Sequence, residues 1–214
     1  MLELAVKTLI AYLGGALLGS LLLGRLKGVD VRRLGSGNAG ATNAMRTQGT
    51  LFGLGVFAFD LAKGVLAVRV LPPLVLPGVG IAPELSREWL TLACALAVIL
   101  GHVYPVWFGF RGGKGVATLL GVVGALNPWL LVPMLACWVA VVVLTGFVGL
   151  ASMLAGLALV LFVLVTRAAD TPLLAFCCTI ELLVLFTHRT NISRMFSGSE
   201  HRAERLWLFR SRAA

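Results

Sequence analysis

Three short polar segments interrupt an otherwise apolar chain, and each carries groups that can meet a ligand. In the first, from Leu34 to Arg46, glycines and small residues let backbone approach a ligand closely. Ser36, Asn38, Thr42 and Asn43 offer neutral hydrogen bonds, and Arg46 offers a planar fork of donors. A flexible connecting loop ending in a helix N-cap fits the same residues. In the second segment, Gly112, Gly113 and Gly115 surround Lys114 where a helix is predicted to begin. Unpaired N–H groups, the helix dipole and an ammonium would converge there on an anion. The spacing is not that of a Walker loop. His102 and Tyr104, just upstream, suit orienting this loop rather than chemistry. In the third segment, His188 and Asn191 lie one helical turn apart and can face one ligand. Arg189 and Arg194 beside them serve that ligand or anchor lipid headgroups.

The elements that position these segments are membrane helices. The chain has 214 residues, 59% hydrophobic and 13% charged, against roughly 25% charged in soluble domains. Spans of about 20 apolar residues cross the hydrocarbon core. They are expected at Leu4 to Leu23, Thr50 to Leu71, Trp89 to Trp107, Pro128 to Thr145, Val148 to Val165 and Pro172 to Thr187, with a short helix at Gly115 to Leu126. Turn signals at Asn127-Pro128 and at Gly146 to Gly149 divide the long apolar run from Gly115 to Thr166. The first run lacks the early basic cluster and cleavage site of a signal peptide. The expected fold is therefore an all-α integral membrane protein, a single domain over residues 1–214. It has seven transmembrane helices, one of them short, with the active-site loops on the cytoplasmic side.

Charge supports that division. Seven spans place most of the 18 Lys and Arg on one side, including Arg25, Lys27, Arg32, Arg33 and the tail's Arg202, Arg205, Arg210 and Arg212. Only Lys7, Arg69, Arg87 and Arg167 fall on the other, so the basic side is read as cytoplasmic. The net charge of +9 therefore flanks apolar spans and does not point to nucleic acid. The four cysteines lie inside apolar runs and show no metal or disulfide spacing. Asp60 and Lys63, at i and i+3 within a span, are expected to form a structural ion pair facing the bundle. Glu181 is expected to hydrogen-bond inside it.

Together the three segments resemble the signature motifs of the bacterial acyl-phosphate:glycerol-3-phosphate acyltransferase family. The first motif stands as Gly35-Ser36-Gly37-Asn38-Ala39-Gly40-Ala41-Thr42-Asn43, with Arg46. The second is Gly101, His102, Pro105 and Gly112 through Thr118; the third is His188, Arg189, Asn191, Ile192, Arg194, Gly198 and Glu200. Ala39 stands where a larger apolar residue is usual, and Arg111 where lysine is common. The resemblance covers nearly the whole chain. It implies transfer of a fatty acyl group from acyl phosphate to the 1-hydroxyl of glycerol 3-phosphate. The products are lysophosphatidic acid and phosphate, within phospholipid biosynthesis. It also implies no metal and no cofactor.

On this reading Ser36, His188 and Asn191 are catalytic. Gly37, Asn38, Thr42, Asn43, Arg46, Gly112, Gly113, Lys114 and Gly115 bind substrate. His102, Asp60, Lys63 and Glu200 are structural, Glu200 by pairing with a basic group in the third segment. The partners are acyl phosphate, glycerol 3-phosphate and membrane lipid, without nucleic acid, for a monomer in the bacterial inner membrane. The segment around Ser36 lacks the elbow of a serine hydrolase, so direct attack by the substrate hydroxyl is favoured over an acyl-serine. The resemblance suggests that substrate phosphate takes the proton. The rival readings are a transporter of a phosphorylated solute, which should carry polar groups at mid-membrane in both halves, and a lipid-binding scaffold with basic anchors.

Overall fold

A computed structural model of the chain describes residues 1–204 and 206–209. Arg205, Arg210 and Arg212, counted above with the basic tail, lie outside the described residues. The longer regular elements among the described residues are α-helices: α1 (Leu2–Gly15), α2 (Gly19–Leu26), α3 (Ala41–Gln48), α4 (Thr50–Arg69), α5 (Arg87–Val103), α6 (Val116–Leu126), α7 (Leu131–Thr145), α8 (Val148–Thr166), α9 (Thr171–Thr187) and α10 (Arg189–Phe196). It divides into two compact units, Met1–Asn127 and Pro128–Ala214.

Four helical stretches are long and apolar enough to cross a membrane: Thr50–Arg69, Arg87–Phe108, Pro128–Thr145 and Val148–Thr166. Two bent pairs, α1 with α2 at 45° and α9 with α10 at 50°, raise the number to as many as six. Helix α6, 11 residues long, rises only about 17 Å at 1.5 Å per residue, well short of the ~30 Å hydrocarbon core. The chain is a multi-pass, all-helical membrane protein. Its long apolar run breaks at Asn127, where α6 ends, and at Gly146, a left-handed C-cap of α7.

In the first unit α4 is central and packs on α2, α3, α5 and α6, while α1 packs on α5. Lipid tails are as apolar as leucine, so close backbone approach must supply much of the association. Glycines make that approach possible. A Cβ at Gly64 of α4 would collide with the Thr118 carbonyl of α6, and one at Gly121 of α6 with the Leu61 carbonyl of α4. Gly15 of α1 and Gly101 of α5 meet the carbonyls of Val98 and Tyr12 in the same reciprocal way. At the start of α1, Glu3 accepts from Lys7 (2.8 Å), from both terminal nitrogens of Arg87 (2.7 and 2.8 Å) and from the Ala82 amide (2.9 Å). That network ties α1 to the segment entering α5. In the second unit α8 packs on α7, α9 and α10.

The first span differs from its expectation in being broken between Gly15 and Gly19. In lipid, a broken helix must find partners for the backbone groups it frees. Lys63 supplies them at the end of α1, its Nζ donating to the carbonyls of Gly15 (2.9 Å) and Leu17 (3.0 Å). Asp60 supplies them at the start of α2, accepting from the Gly19 amide (3.3 Å). A cation thus sits at a helix C-terminus and an anion at a helix N-terminus, the favourable sense for both dipoles. The two side chains also pair with each other at 2.9 Å.

Candidate functional site

The first segment is a loop knitted by one side chain. Asn43 is buried. Its Nδ2 is within 3.0 Å of the carbonyls of Val31, Leu34 and Asn38, and its Oδ1 accepts from the Ser36 amide at 2.9 Å. The side-chain amide is thus committed to the loop's own backbone. Asn43 therefore positions the loop, where the sequence grouped it with the ligand donors. Ser36, Gly37, Thr42 and Arg46 are exposed, and Asn38 is half-buried. The Ser20 hydroxyl fastens the loop to α2 by donating to the Ala39 carbonyl at 2.5 Å. Ala39 itself is fully buried with Leu18 and Leu21, against Phe108.

Phe108 belongs to the second segment, so the two segments are brought together within the first unit. Arg32 joins them further, its Nη1 donating to the carbonyls of Phe108 (3.0 Å) and Arg111 (3.2 Å). The same guanidinium grips Asp30 through Nε (3.1 Å) and Nη2 (2.9 Å). That contact holds the Asp30 carboxyl below its ordinary range. The spacing of Asp30 and Arg32 does not by itself single them out as site residues. The one signal is their place at the mouth of the first motif.

The amides of Gly112 and Gly113 are spent on the carbonyls of Val103 and His102, both at 3.2 Å. The amides of the first turn of α6, which lack intrahelical partners, are the backbone donors at this mouth. Gly115, the N-cap of α6, has φ +83°, a left-handed conformation that favours glycine. A Cβ at Gly113 would run into Nε2 of the His102 ring. His102 is buried, and its Nδ1 lies 3.0 Å from Lys63 Nζ. The chain of contacts therefore runs from the α1–α2 break through Lys63 and His102 to the underside of the glycine loop. The Tyr104 carbonyl accepts from the Tyr12 hydroxyl at 2.7 Å.

The third segment lies in the second unit. His188 is buried at the bend between α9 and α10. Its Nδ1 is 2.8 Å from the Val184 carbonyl. A carbonyl only accepts, so Nδ1 is the donor in this contact. Asn191 is buried against Gly149, where an added Cβ would press on its amide. Asn191 donates to Glu200 Oε1 at 2.6 Å, while Arg194 Nε donates to Oε2 at 2.6 Å. One carboxylate thus fixes both residues of α10. Arg189 donates to the Phe186 carbonyl at 3.0 Å and lies over the Phe186 ring. Gly149, outside all three sequence segments, is the residue that makes room for Asn191.

A family model described as glycerol-3-phosphate acyltransferase matches residues 5–198. The chain belongs to the glycerol-3-phosphate acyltransferase family. The glycerol-3-phosphate acyltransferase of Aquifex aeolicus (strain VF5) is 39% identical over 194 residues, covering 91% of this chain and 96% of its own. That of Synechocystis sp. (strain ATCC 27184 / PCC 6803 / Kazusa) is 40% identical over 197 residues, covering 90% and 87%. The crystal structure of PlsY (YgiH), an integral membrane glycerol 3-phosphate acyltransferase, in its glycerol 3-phosphate form aligns with TM-score 0.80 at 36% identity. That alignment covers 93% of this chain and 94% of the other. The lysophosphatidic acid form of the same enzyme aligns with TM-score 0.78. The glycerol-3-phosphate acyltransferase family is thus represented here over nearly the full chain, with all three polar segments inside or adjoining the matched residues.

Proposed function

We propose that the chain is a phospholipid-biosynthetic enzyme of the bacterial inner membrane. It transfers a fatty acyl group from acyl phosphate to the 1-hydroxyl of glycerol 3-phosphate on the cytoplasmic side. The observation that carries this reading is the mouth of α6. An apolar helix begins there at Val116, and the turn that leads into it is bonded by Arg32 at the entry to the loop that exposes Ser36, Thr42 and Arg46. Membership of the family and the glycerol 3-phosphate form of the PlsY relative support it.

The chemistry asks the protein to bring two phosphorylated molecules together beside lipid. Two unit charges about 4 Å apart near a protein surface repel by ~4 kcal/mol. Arg46, Lys114 and the first-turn amides of α6 offset that repulsion. The 1-hydroxyl oxygen then attacks the acyl carbonyl carbon, and the bond from that carbon to the phosphate oxygen breaks to release inorganic phosphate. The hydroxyl proton passes to the phosphate of glycerol 3-phosphate. Ser36 donates a hydrogen bond to substrate. His188 and Asn191 orient the polar acceptor molecule. Glu200 holds Asn191 and Arg194, and His102, Lys63 and Asp60 support the glycine loop from beneath.

The test supplies purified enzyme with acyl phosphate alone, then with glycerol 3-phosphate. Lysophosphatidic acid and phosphate should appear together only in the second case. An acylated Ser36 trapped in the first would replace direct attack by a covalent route. No product in the second case would refute the activity.

A further inference from the structure

Phe110 has φ +58°, and every other left-handed residue described is a glycine. A side chain makes that conformation costly, and such strain persists only where the surroundings over-determine it. Phe110 is exposed, so packing of its ring does not supply the constraint. The constraint lies in the backbone on either side. Phe110 donates to the Pro105 carbonyl at 2.9 Å, and the carbonyls of Phe108 and Arg111 both point to Arg32 Nη1. Arg111 directly precedes Gly112, whose amide bonds the Val103 carbonyl.

Arg32 is itself fixed before it reaches this turn. Asp30 caps the short 3-10 turn Val31–Arg33 by accepting from the Arg32 amide at 3.0 Å. The same carboxylate takes Nε and Nη2 of Arg32. The fork geometry leaves Nη1 aimed at the two carbonyls, an arrangement a lysine ammonium does not reproduce. With its donors committed in this way, Arg32 is poorly placed to take a substrate phosphate, unlike the exposed Arg46.

We infer that Asp30 and Arg32 form a clamp that holds the 105–111 turn in its strained shape and thereby sets the position of the Gly112–Gly115 anion loop. Arg32 is a positioning residue for the phosphorylated substrate, although it touches none of it. The clamp also fixes the first segment to the second, because Arg32 lies at the entry to the Ser36 loop. This inference rests on the anion-loop reading above.

The strain gives the clamp a specific test. Arg32→Lys keeps the charge and removes the fork. In the full chain it should raise the KM for glycerol 3-phosphate about tenfold, the order expected on losing a charge-assisted hydrogen bond, and leave kcat within about threefold. Amide exchange over residues 105–115 should quicken. Phe110→Gly relieves the left-handed strain, so adding it to Arg32→Lys should recover most of the lost KM. A residue that mattered only for folding would not be rescued there. Should Arg32→Lys not fold, Asp30→Asn weakens the anchor, keeps the guanidinium and carries the same comparison. Wild-type exchange over 105–115 in a folded variant overturns the clamp, as does a raised KM that Phe110→Gly fails to lower. An inactive wild type would refute the proposed activity instead, and the exchange measurement would still decide the clamp.

Discussion

Glycine serves different ends in the two units. Within Met1–Asn127, four helix glycines at the α1–α5 and α4–α6 contacts face main chain: Gly15 against Val98, Gly101 against Tyr12, Gly64 against Thr118, and Gly121 against Leu61. Within Pro128–Ala214, the helix glycines Gly149 and Gly156 face polar side chains, the Asn191 amide and the Glu181 carboxylate. At those four positions the missing Cβ joins two helices. In the second unit it opens a niche for one functional group. What a Cβ would strike therefore separates a glycine kept for assembly from one kept for a site. Gly113 shows that the distinction follows the site and not the unit, since it lies in the first unit yet meets the His102 ring.

The largest effect should come from Gly121→Ala. The atom in the way is the Leu61 carbonyl oxygen, and helix backbone cannot rotate aside as a side chain does. The interface between α4 and α6 must open along its length. Overpacking of this kind typically costs about 1–3 kcal/mol and sometimes more. Thermal unfolding of the purified protein in detergent should shift down by several degrees, with activity falling in parallel as folded protein is lost. An unchanged unfolding midpoint would mean that this glycine contact does not hold the helices together.

Much of this fold is legible in the sequence, and the exceptions have one cause. Asn127-Pro128 and Gly146 mark helix ends because proline and glycine act through their own backbones. The start of α6 after Gly115 is legible for the same reason. The α1–α2 bend is not, because its stabilising partners lie far along the chain. Lys63 and Asp60 reveal by spacing only that they can pair with each other, not that they also hold Gly15, Leu17 and Gly19. The site divides in the same way. Residue types mark Arg46 and Lys114 as candidate anion ligands. They do not show that the Asn43 amide faces its own loop, or that the amides of Gly112 and Gly113 are spent on Val103 and His102. In a segment without periodicity, spacing does not say which way a side chain faces.

Gly149→Ala should produce an intermediate effect of the opposite character. The added methyl presses on Asn191, which Glu200 holds from its other side. Asn191 must then leave its position while the interface of α7 with α8 is untouched. Activity should fall by a factor on the order of 10², the scale of losing one preorganised polar group, with the unfolding midpoint little changed. A loss of stability as large as that of Gly121→Ala would erase the contrast between assembly and niche glycines.

The smallest effect is expected at Gly156, where the comparison can be made to change sign. The atom its methyl would meet is Glu181 Oε2, the end of a flexible side chain, buried and without a hydrogen-bond partner among the described residues. Moving that oxygen forfeits no bond, and alanine is favoured over glycine inside a helix by about 1 kcal/mol. Gly156→Ala alone should therefore change stability by no more than about 1 kcal/mol, because crowding and propensity offset each other. Glu181→Ala empties the niche. In that background the crowding is gone and propensity and cavity filling both remain, so Gly156→Ala should stabilise the protein. Unfolding midpoints of the two single variants and the double variant measure the coupling directly. If Gly156→Ala destabilises equally with and without the Glu181 carboxylate, the methyl is striking main chain, and Gly156 belongs with Gly121 among the glycines that join helices.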